Sequence, residues 1–333
     1  MTSTLDRLPI LILSPHNRCN CRCVMCDIWK STDAREISLD ELNAHLDSIE
    51  SLHVEWIVLS GGEPLMHSDL FRLCAAIKAR GIRITLLSTG LLLARHADNI
   101  VRSIDDVIVS LDGPPAIHDH IRRVPGAFEK LAQGIAAIRS LRPGYPITAR
   151  CTVQRLNCRS LVDVVDTAFQ LGLNGISFLA ADLTSEAFNR PGGWQLPRQS
   201  DVALSKSDVI VLEGQIEALS TVGNFVLETP AKLRRIVRHF HAHLEQAESE
   251  SPRCNAPWVS AVVESDGVVR PCFFQPPIGR ITPGTSLLSV LQSKEALAFR
   301  EGLDVAVNPI CRRCVCSLNW QPRRPLPTIQ RLS

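Results

Sequence analysis

At 333 residues with 45% hydrophobic content, the chain can bury one large core and still carry a smaller module. Its 36 basic and 34 acidic residues leave a net charge of +2 with no long run of one sign, which argues against a nucleic-acid or membrane-surface partner. No stretch reaches the ~20 consecutive apolar residues of a membrane span, and Asp6 and Arg7 before a short apolar run lack a signal-peptide layout, so a cytoplasmic protein is expected. In a reducing compartment, clustered thiols bind metal more often than they pair. The twelve cysteines gather at 19–26 and at 254–272 with 311–316, so two metal sites are expected, with Cys74, Cys151 and Cys158 standing alone.

Apolar, β-branched runs alternate with helix-length amphipathic segments through the first two thirds of the chain, the pattern of β-α units around a parallel sheet. The strands expected are Ile10 to Leu13, Glu55 to Leu59, Ile82 to Leu87, Asp106 to Val109, Ile147 to Val153 and Gly175 to Leu179. Between them, helices are expected over Leu39 to Ser51, Asp69 to Arg80, Ala127 to Ser140 and Leu161 to Leu171. Ser38 and Glu41 have capping-box spacing, and Gly81 and Gly172 stand where left-handed C-terminal caps belong. Six units fall short of the eight of a closed barrel, so the expected fold class is α/β, a partial (β/α)6 TIM-like barrel with ligands at the C-terminal strand ends.

The stretch Thr184 to Ser207, with Pro191, Gly192, Gly193 and Pro197, reads as a boundary. Helices follow near Asp208 to Ser220 and Lys232 to Gln246, then a hairpin of Val259 to Val263 and Val268 to Val269 about a turn at Ser265-Asp266-Gly267, then a helix from Leu287 to Arg300. The expected domains are a barrel core at 1–205, a helical connection at 206–250 and a small cysteine-rich module at 251–333.

Cys19-x3-Cys23-x2-Cys26 directly follows the first strand, where thiols sit at the sheet's C-terminal edge. Three thiolates on a four-iron cluster leave one iron open. Taken alone, Cys19, Cys21, Cys23 and Cys26 also permit a zinc site. Ser60-Gly61-Gly62-Glu63-Pro64 follows the second strand, Ser88-Thr89-Gly90 ends the third, Ser110-Leu111-Asp112-Gly113-Pro114 ends the fourth, and Thr152 to Asn157 leaves the fifth. Glycines admit a close backbone approach, and a carboxylate such as Glu63 suits an ammonium.

In this order at consecutive strand ends, the motifs resemble the radical S-adenosylmethionine (SAM) superfamily, over nearly all of the chain. The resemblance implies that Cys19, Cys23 and Cys26 hold a 4Fe-4S cluster whose open iron binds SAM. It gives Gly61, Gly62 and Glu63 the methionine amino group, Ser88 and Thr89 hydroxyl and backbone contacts, and Ser110, Asp112 and Arg122 or Arg123 the carboxylate and ribose. Met25 stands where many members carry an aromatic residue, and is expected near the cluster or adenine; Cys21 is expected to be dispensable. The implied chemistry is reductive cleavage of SAM to a 5'-deoxyadenosyl radical, which takes a hydrogen atom from substrate, with a reductant such as flavodoxin or ferredoxin.

Cys254, Gly267 and Cys272, closed by Cys311-x2-Cys314-x-Cys316, resemble the C-terminal SPASM or shorter twitch module of that superfamily. Five cysteines suit one auxiliary 4Fe-4S cluster, with Cys254, Cys272, Cys311 and Cys314 as first choice and Cys316 as substitute; a structural zinc is the plainer alternative. The layout is similar to dehydrogenases that oxidise a sugar or cyclitol alcohol, with the auxiliary cluster taking the remaining electron. An epimerase using Cys151 or Cys158 as hydrogen donor stays open. So does a maturase of ribosomal peptides, although no extra N-terminal domain precedes Leu11; the C-terminus lacks the Gly-Gly of molybdopterin-type cyclases. The substrate is a small molecule or a peptide. A non-catalytic electron-transfer protein would keep the cysteines without needing Glu63. Asp182, just beyond the sixth strand, is the candidate base or substrate contact, against a helix cap as the plain reading.

Overall fold

The computed structural model describes residues 5–321. In chain order its elements are β1 (Ile10–Leu13), α1 (Leu39–Ser51), β2 (Trp56–Leu59), α2 (Leu70–Lys78), β3 (Arg83–Ser88), α3 (Leu93–Ser103), β4 (Asp106–Ser110), α4 (Pro115–Arg122), α5 (Ala127–Leu141), β5 (Ile147–Val153), α6 (Leu161–Gln170) and β6 (Ile176–Ala180). There follow α7 (Leu196–Ser200), α8 (Lys206–Leu219), α9 (Pro230–His243), α10 (Ala256–Val259), β7 (Ser260–Val263), β8 (Val268–Arg270), β9 (Gly279–Arg280), α11 (Leu287–Leu291), α12 (Lys294–Gly302) and α13 (Pro309–Arg313). No described helix is long and apolar enough to cross a membrane.

All six expected strands form, and they lie side by side in chain order as one parallel sheet. Ser38 and Glu41 make the reciprocal capping box at the start of α1, and Gly81 and Gly172 take positive φ values of 72° and 67°. Two helices, α3 and α4, stand where the sequence pattern announces none, and one expected helix is divided. The apolar positions of α3 are sparse, with Leu93, Ala97 and Ile100 buried, and α4 opens on Pro115, a first-turn residue that looks like a breaker when read alone. The helix expected from Leu287 to Arg300 is two, because Ser293 leaves helical geometry and its side chain accepts from Ala296 N to start a second.

One face of the strands carries a continuous apolar row in register, with Leu13, Leu59, Leu86, Val107 and Ile147 each 3% exposed or less. The other face bears Ile12, Ser110, Arg150 and Ser177, and the strand pleat puts these side chains opposite the apolar row. The sheet continues past β1. Strand β7 pairs with β1 in parallel and β8 and β9 add antiparallel strands, so the C-terminal hairpin extends the barrel sheet itself. The far edge, β6, is covered: Leu227 N donates to Ile176 O at 2.9 Å and Phe178 N to the Glu228 carboxylate at 2.8 Å. Both contacts satisfy donors or acceptors that a bare edge strand would expose.

The N-terminal end of β2 to β4 is tied by polar side chains. Trp56 Nε1 donates to Thr85 Oγ1 (2.8 Å), whose hydroxyl donates to Asp106 Oδ1 (2.9 Å), and Arg83 donates twice to Asp106 Oδ2 (3.0 and 2.7 Å) while lying 5.3 Å from the Trp56 ring centre. Burial pushes the Asp106 carboxyl above its usual range even with Arg83 against it. Removing one partner of such a pair strands the other. Asp106→Ala is therefore expected to lower stability to urea by about 3 kcal/mol, and Asp106→Asn, which keeps an acceptor for Thr85, by less; equal midpoints for both variants and the parent chain contradict this.

Candidate functional site

The loop after β1 and the loop after β2 are locked together by backbone. The His16 ring hydrogen-bonds Glu63 O through Nε2 (2.5 Å) and accepts from Arg18 N at Nδ1 (3.1 Å), which makes Nε2 the protonated nitrogen. Glu63 N donates to Arg18 O at 2.9 Å. Burial depresses the His16 pKa, so the ring is held neutral. A Cβ on Gly62 would lie 1.8 Å from Arg18 O, and one on Gly61, whose φ is +102°, 2.8 Å from His16 O. What presses on both glycines is the backbone of the cysteine loop, not open space left for a ligand. His16 escaped sequence reasoning, since a single histidine between Pro15 and Asn17 carries no pattern.

Glu63 is fully buried. Its carboxylate accepts from Thr89 N (2.6 Å), Thr89 Oγ1 (2.7 Å) and Leu65 N (3.2 Å), and Ser88 Oγ lies 3.0 and 3.1 Å from its two oxygens. The hydroxyls of Ser88 and Thr89, expected to face SAM, are thus turned onto Glu63. Burial raises the Glu63 pKa despite these donors. Among the described residues no Lys, Arg or His forms a salt bridge with it. A buried carboxylate ringed by neutral donors is completed by a cation brought from outside, and an ammonium fits.

Of the four thiols in the first loop, Cys21 and Cys23 are buried and Cys19 and Cys26 half-buried. Arg122 Nη1 lies 3.6 Å from Cys23 Sγ; the neighbouring Cys21 thiol and this guanidinium depress the Cys23 pKa, while Cys23 raises that of Cys21. Burial pushes Cys19 up to about 12 and Cys26 up to about 11. The end of α4 grips the same loop, with Arg22 N donating to Arg122 O (3.1 Å) and Val24 N to Ile121 O (2.9 Å). Between the two arginines proposed from the sequence, Arg122 is buried and turned inward, whereas Arg123 is exposed at a left-handed φ of 53°.

Arg122 pairs with Asp112 at 2.5 Å. Asp112 Oδ1 accepts from Thr152 N (2.9 Å), and Asn157 Nδ2 donates to the carbonyls of Asp112 (3.0 Å) and Thr152 (3.1 Å), so the ends of β4 and β5 are fastened to each other. Beside them Gln154 is fully buried with neither end of its amide partnered. Three thiols, an uncompensated carboxylate and an orphaned amide at adjacent strand ends are a donor set that fits an iron-sulfur cluster with bound SAM.

Cys254, Cys272, Cys311, Cys314 and Cys316 line a single cavity of about 270 Å³, together with Arg150. Inner-face Ile12, Leu179 and Val262 line it too. Strands six places apart in the sheet border one volume only if the sheet curls. Asn308 Oδ1 accepts from Ile310 N and Cys311 N (both 3.0 Å), Gln275 Nε2 donates to Asn308 Oδ1 (3.2 Å) and Cys311 Sγ (3.3 Å), and Arg235 donates to Cys314 O. Among the described residues no three His, Cys, Asp or Glu side chains converge on a point able to hold one metal ion.

Asp182 caps no helix. It is a buried carboxylate whose Oδ2 lies 2.8 Å from Arg190 Nη1 and accepts from Ser185 Oγ at 2.5 Å. Arg190 lies in the segment read from sequence as a boundary, where its Pro and Gly punctuation hid a packed role.

Residues 13–168 match the radical SAM superfamily and residues 254–315 an iron-sulfur cluster-binding domain, SPASM. The chain is similar to the AdoMet-dependent heme synthase of Methanosarcina barkeri, 32% identical over 159 residues that are 46% of this chain and 45% of that one. It thus spans less than half the length of that relative. It is also similar to the PqqA peptide cyclase of Ruegeria pomeroyi, 24% identical over 318 residues, 92% of this chain and 79% of the other. Among solved structures, SuiB of Streptococcus suis bound to its precursor peptide SuiA shares the fold, with a TM-score of 0.67 at 15% identity over 95% of this chain and 72% of that one.

Gly62→Ala places a methyl group against the Arg18 carbonyl, so the two loops must part. After anaerobic reconstitution it is expected to hold about four irons per chain against about eight for the parent, while Cys21→Ala keeps about eight. Iron analysis decides both, and a Gly62→Ala chain with full iron, or a Cys21→Ala chain at half, contradicts the assignment.

Proposed function

Since the chain belongs to the radical SAM superfamily and carries the SPASM iron-sulfur domain, we propose that it oxidises its substrate by hydrogen-atom removal, the auxiliary cluster that the second cysteine group would hold taking up the electron left behind and the second hydrogen leaving as a proton to solvent. The observation that carries this is the shared cavity, in which Cys254, Cys272, Cys311, Cys314 and Cys316 stand with Arg150 and Leu179 of the strands. When bound, SAM on the first 4Fe-4S cluster supplies a 5'-deoxyadenosyl radical to accept the hydrogen atom, and an auxiliary 4Fe-4S cluster supplies the electron sink.

The residues of the chain then divide the work. Cys19, Cys23 and Cys26 hold the first cluster. Glu63 meets the SAM ammonium, and Ser88 and Thr89 keep its carboxylate fixed, so little reorganisation is needed on binding. Ser110 and Arg122 receive the carboxylate and ribose, Asp112 orients Arg122, and Gln154 offers its amide to the adenine. Four of Cys254, Cys272, Cys311, Cys314 and Cys316 hold the auxiliary cluster. Arg150, exposed on the inner face with Nε donating to Ser177 Oγ at 3.3 Å, lines the space left for substrate.

We assign the substrate to peptides. Support comes from the similarity to a peptide cyclase over 92% of the chain and from the fold shared with a peptide-bound enzyme. The sugar or cyclitol alcohol expected from the layout has no counterpart among the relatives named above. A reductant of the flavodoxin or ferredoxin kind is part of the proposal, as is a reducing, cytoplasmic setting, which the twelve free thiols favour.

The test is reaction of the reconstituted chain with SAM, a reductant and candidate precursor peptides encoded beside its gene. Expected are 5'-deoxyadenosine and a peptide lighter by two hydrogens, with Cys311→Ala/Cys314→Ala keeping SAM cleavage and losing the peptide product. No 5'-deoxyadenosine from a fully iron-loaded chain defeats the enzyme reading in favour of an electron-transfer protein. Cleavage with every peptide unchanged defeats the peptide assignment alone.

A further inference from the structure

The segment that follows β6, residues 181–198, touches both cysteine sites. Its anchor is the Asp182–Arg190 pair, with side chains 4% and 0% exposed. Arg190 Nη1 also donates to the Asp182 carbonyl at 2.9 Å, Nη2 donates to the carbonyl of Met25 inside the first cysteine loop, and the guanidinium lies 3.6 Å from the Trp194 ring centre. Trp194 Nε1 donates to Asp27 Oδ2 (2.6 Å), Asn189 Nδ2 donates to Asp27 O (3.2 Å), and Arg198 donates to the carbonyl of Val24. The stretch from Val24 to Asp27, which contains Cys26, is therefore held by this segment as well as by α4.

On the other side the segment meets the second site. Arg190 lies 5.3 Å from the ring centre of Phe188. Phe188 stacks on Phe273 (6.4 Å, 19° between planes) and meets Phe274 edge-on (5.9 Å, 77°), the two residues after Cys272. Phe188 and Asn189 adopt φ values of 63° and 62°, a conformation that an aromatic residue holds only where its surroundings over-determine it. A buried guanidinium is costly unless its donors are met; here Nη1 is met by Asp182 and Nη2 by the carbonyl of a cysteine loop, while Nε has no partner among the described residues. An apolar side chain would fill the same space without fixing that carbonyl.

We propose that Arg190 is a positioning residue shared by the two cluster sites. Through the Met25 carbonyl it sets the backbone between the second and third cysteines of the first site, and through Phe188 it sets the Phe273–Phe274 pair behind Cys272. A change at either site is thereby transmitted to the other. The inference rests on the two-cluster reading above.

The experiment uses the full chain with both clusters reconstituted, as parent, Arg190→Gln, Arg190→Lys and Phe188→Leu. Three quantities are read: iron content, the affinity for SAM, and the EPR spectra of the reduced clusters with and without SAM, the SAM-dependent part reporting the first cluster. Arg190→Gln is expected to weaken SAM binding about tenfold, the effect of one charge-assisted hydrogen bond, and to shift both signals. Arg190→Lys, which keeps the charge and loses the planar face, is expected to restore SAM affinity but not the auxiliary signal. Phe188→Leu is expected to shift the auxiliary signal and to reduce the response of the first to SAM. Native spectra and SAM affinity in all three variants overturn the proposal. So does loss of iron from one site with the other spectrum unchanged. A parent chain with no SAM-responsive signal instead removes the two-cluster reading, and the proposal with it.

Discussion

The site depends on the contact between two loops that have no secondary structure of their own. The backbone from His16 to Cys19 lies directly on Gly61 and Gly62, at distances that leave no room for a Cβ, and is pinned by Glu63 N donating to Arg18 O and by the His16 ring on Glu63 O. This interlock fixes the first cysteine and the Glu63 carboxylate relative to each other before any ligand arrives. A carboxylate fixed in a dry site acts on a cation far more strongly than one that must be ordered on binding.

Around that contact the buried charges differ in kind. Asp112 with Arg122 and Asp182 with Arg190 are buried ion pairs. Such pairs add little net stability, because desolvation offsets the attraction, but each fixes a loop: one joins the exits of β4 and β5 to the cysteine loop, the other joins the exit of β6 to it. Among the described residues Glu63 has donors and no ion-pair partner, the arrangement that the proposed SAM ammonium would complete.

The second cysteine group reaches the barrel because the C-terminal hairpin is part of the same sheet. With β7 on β1 and the sheet curled, residues of β6, β1 and β7 face one cavity. A module hung on a flexible linker would place its thiols at variable distance from the strand ends. Here hydrogen bonds of the sheet set that distance.

The sequence by itself determined the six barrel strands and the chemistry-bearing loops. An apolar, β-branched run is a local property, and so are the spacing of Cys19, Cys23 and Cys26 and the capping box at Ser38. Local signals also misread some parts: Pro115 hid a helix start, Ser293 split a helix, and the run around Gly192 and Gly193 passed for a linker. Tertiary structure alone decided what each polar group faces. That Ser88 and Thr89 turn onto Glu63, that Arg122 and not Arg123 enters the site, that His16 is part of it and that Arg190 spans two sites all follow from pairs far apart in the chain. Their geometry is set by how the sheet curls and which loops then meet, and no residue carries that information in its neighbours.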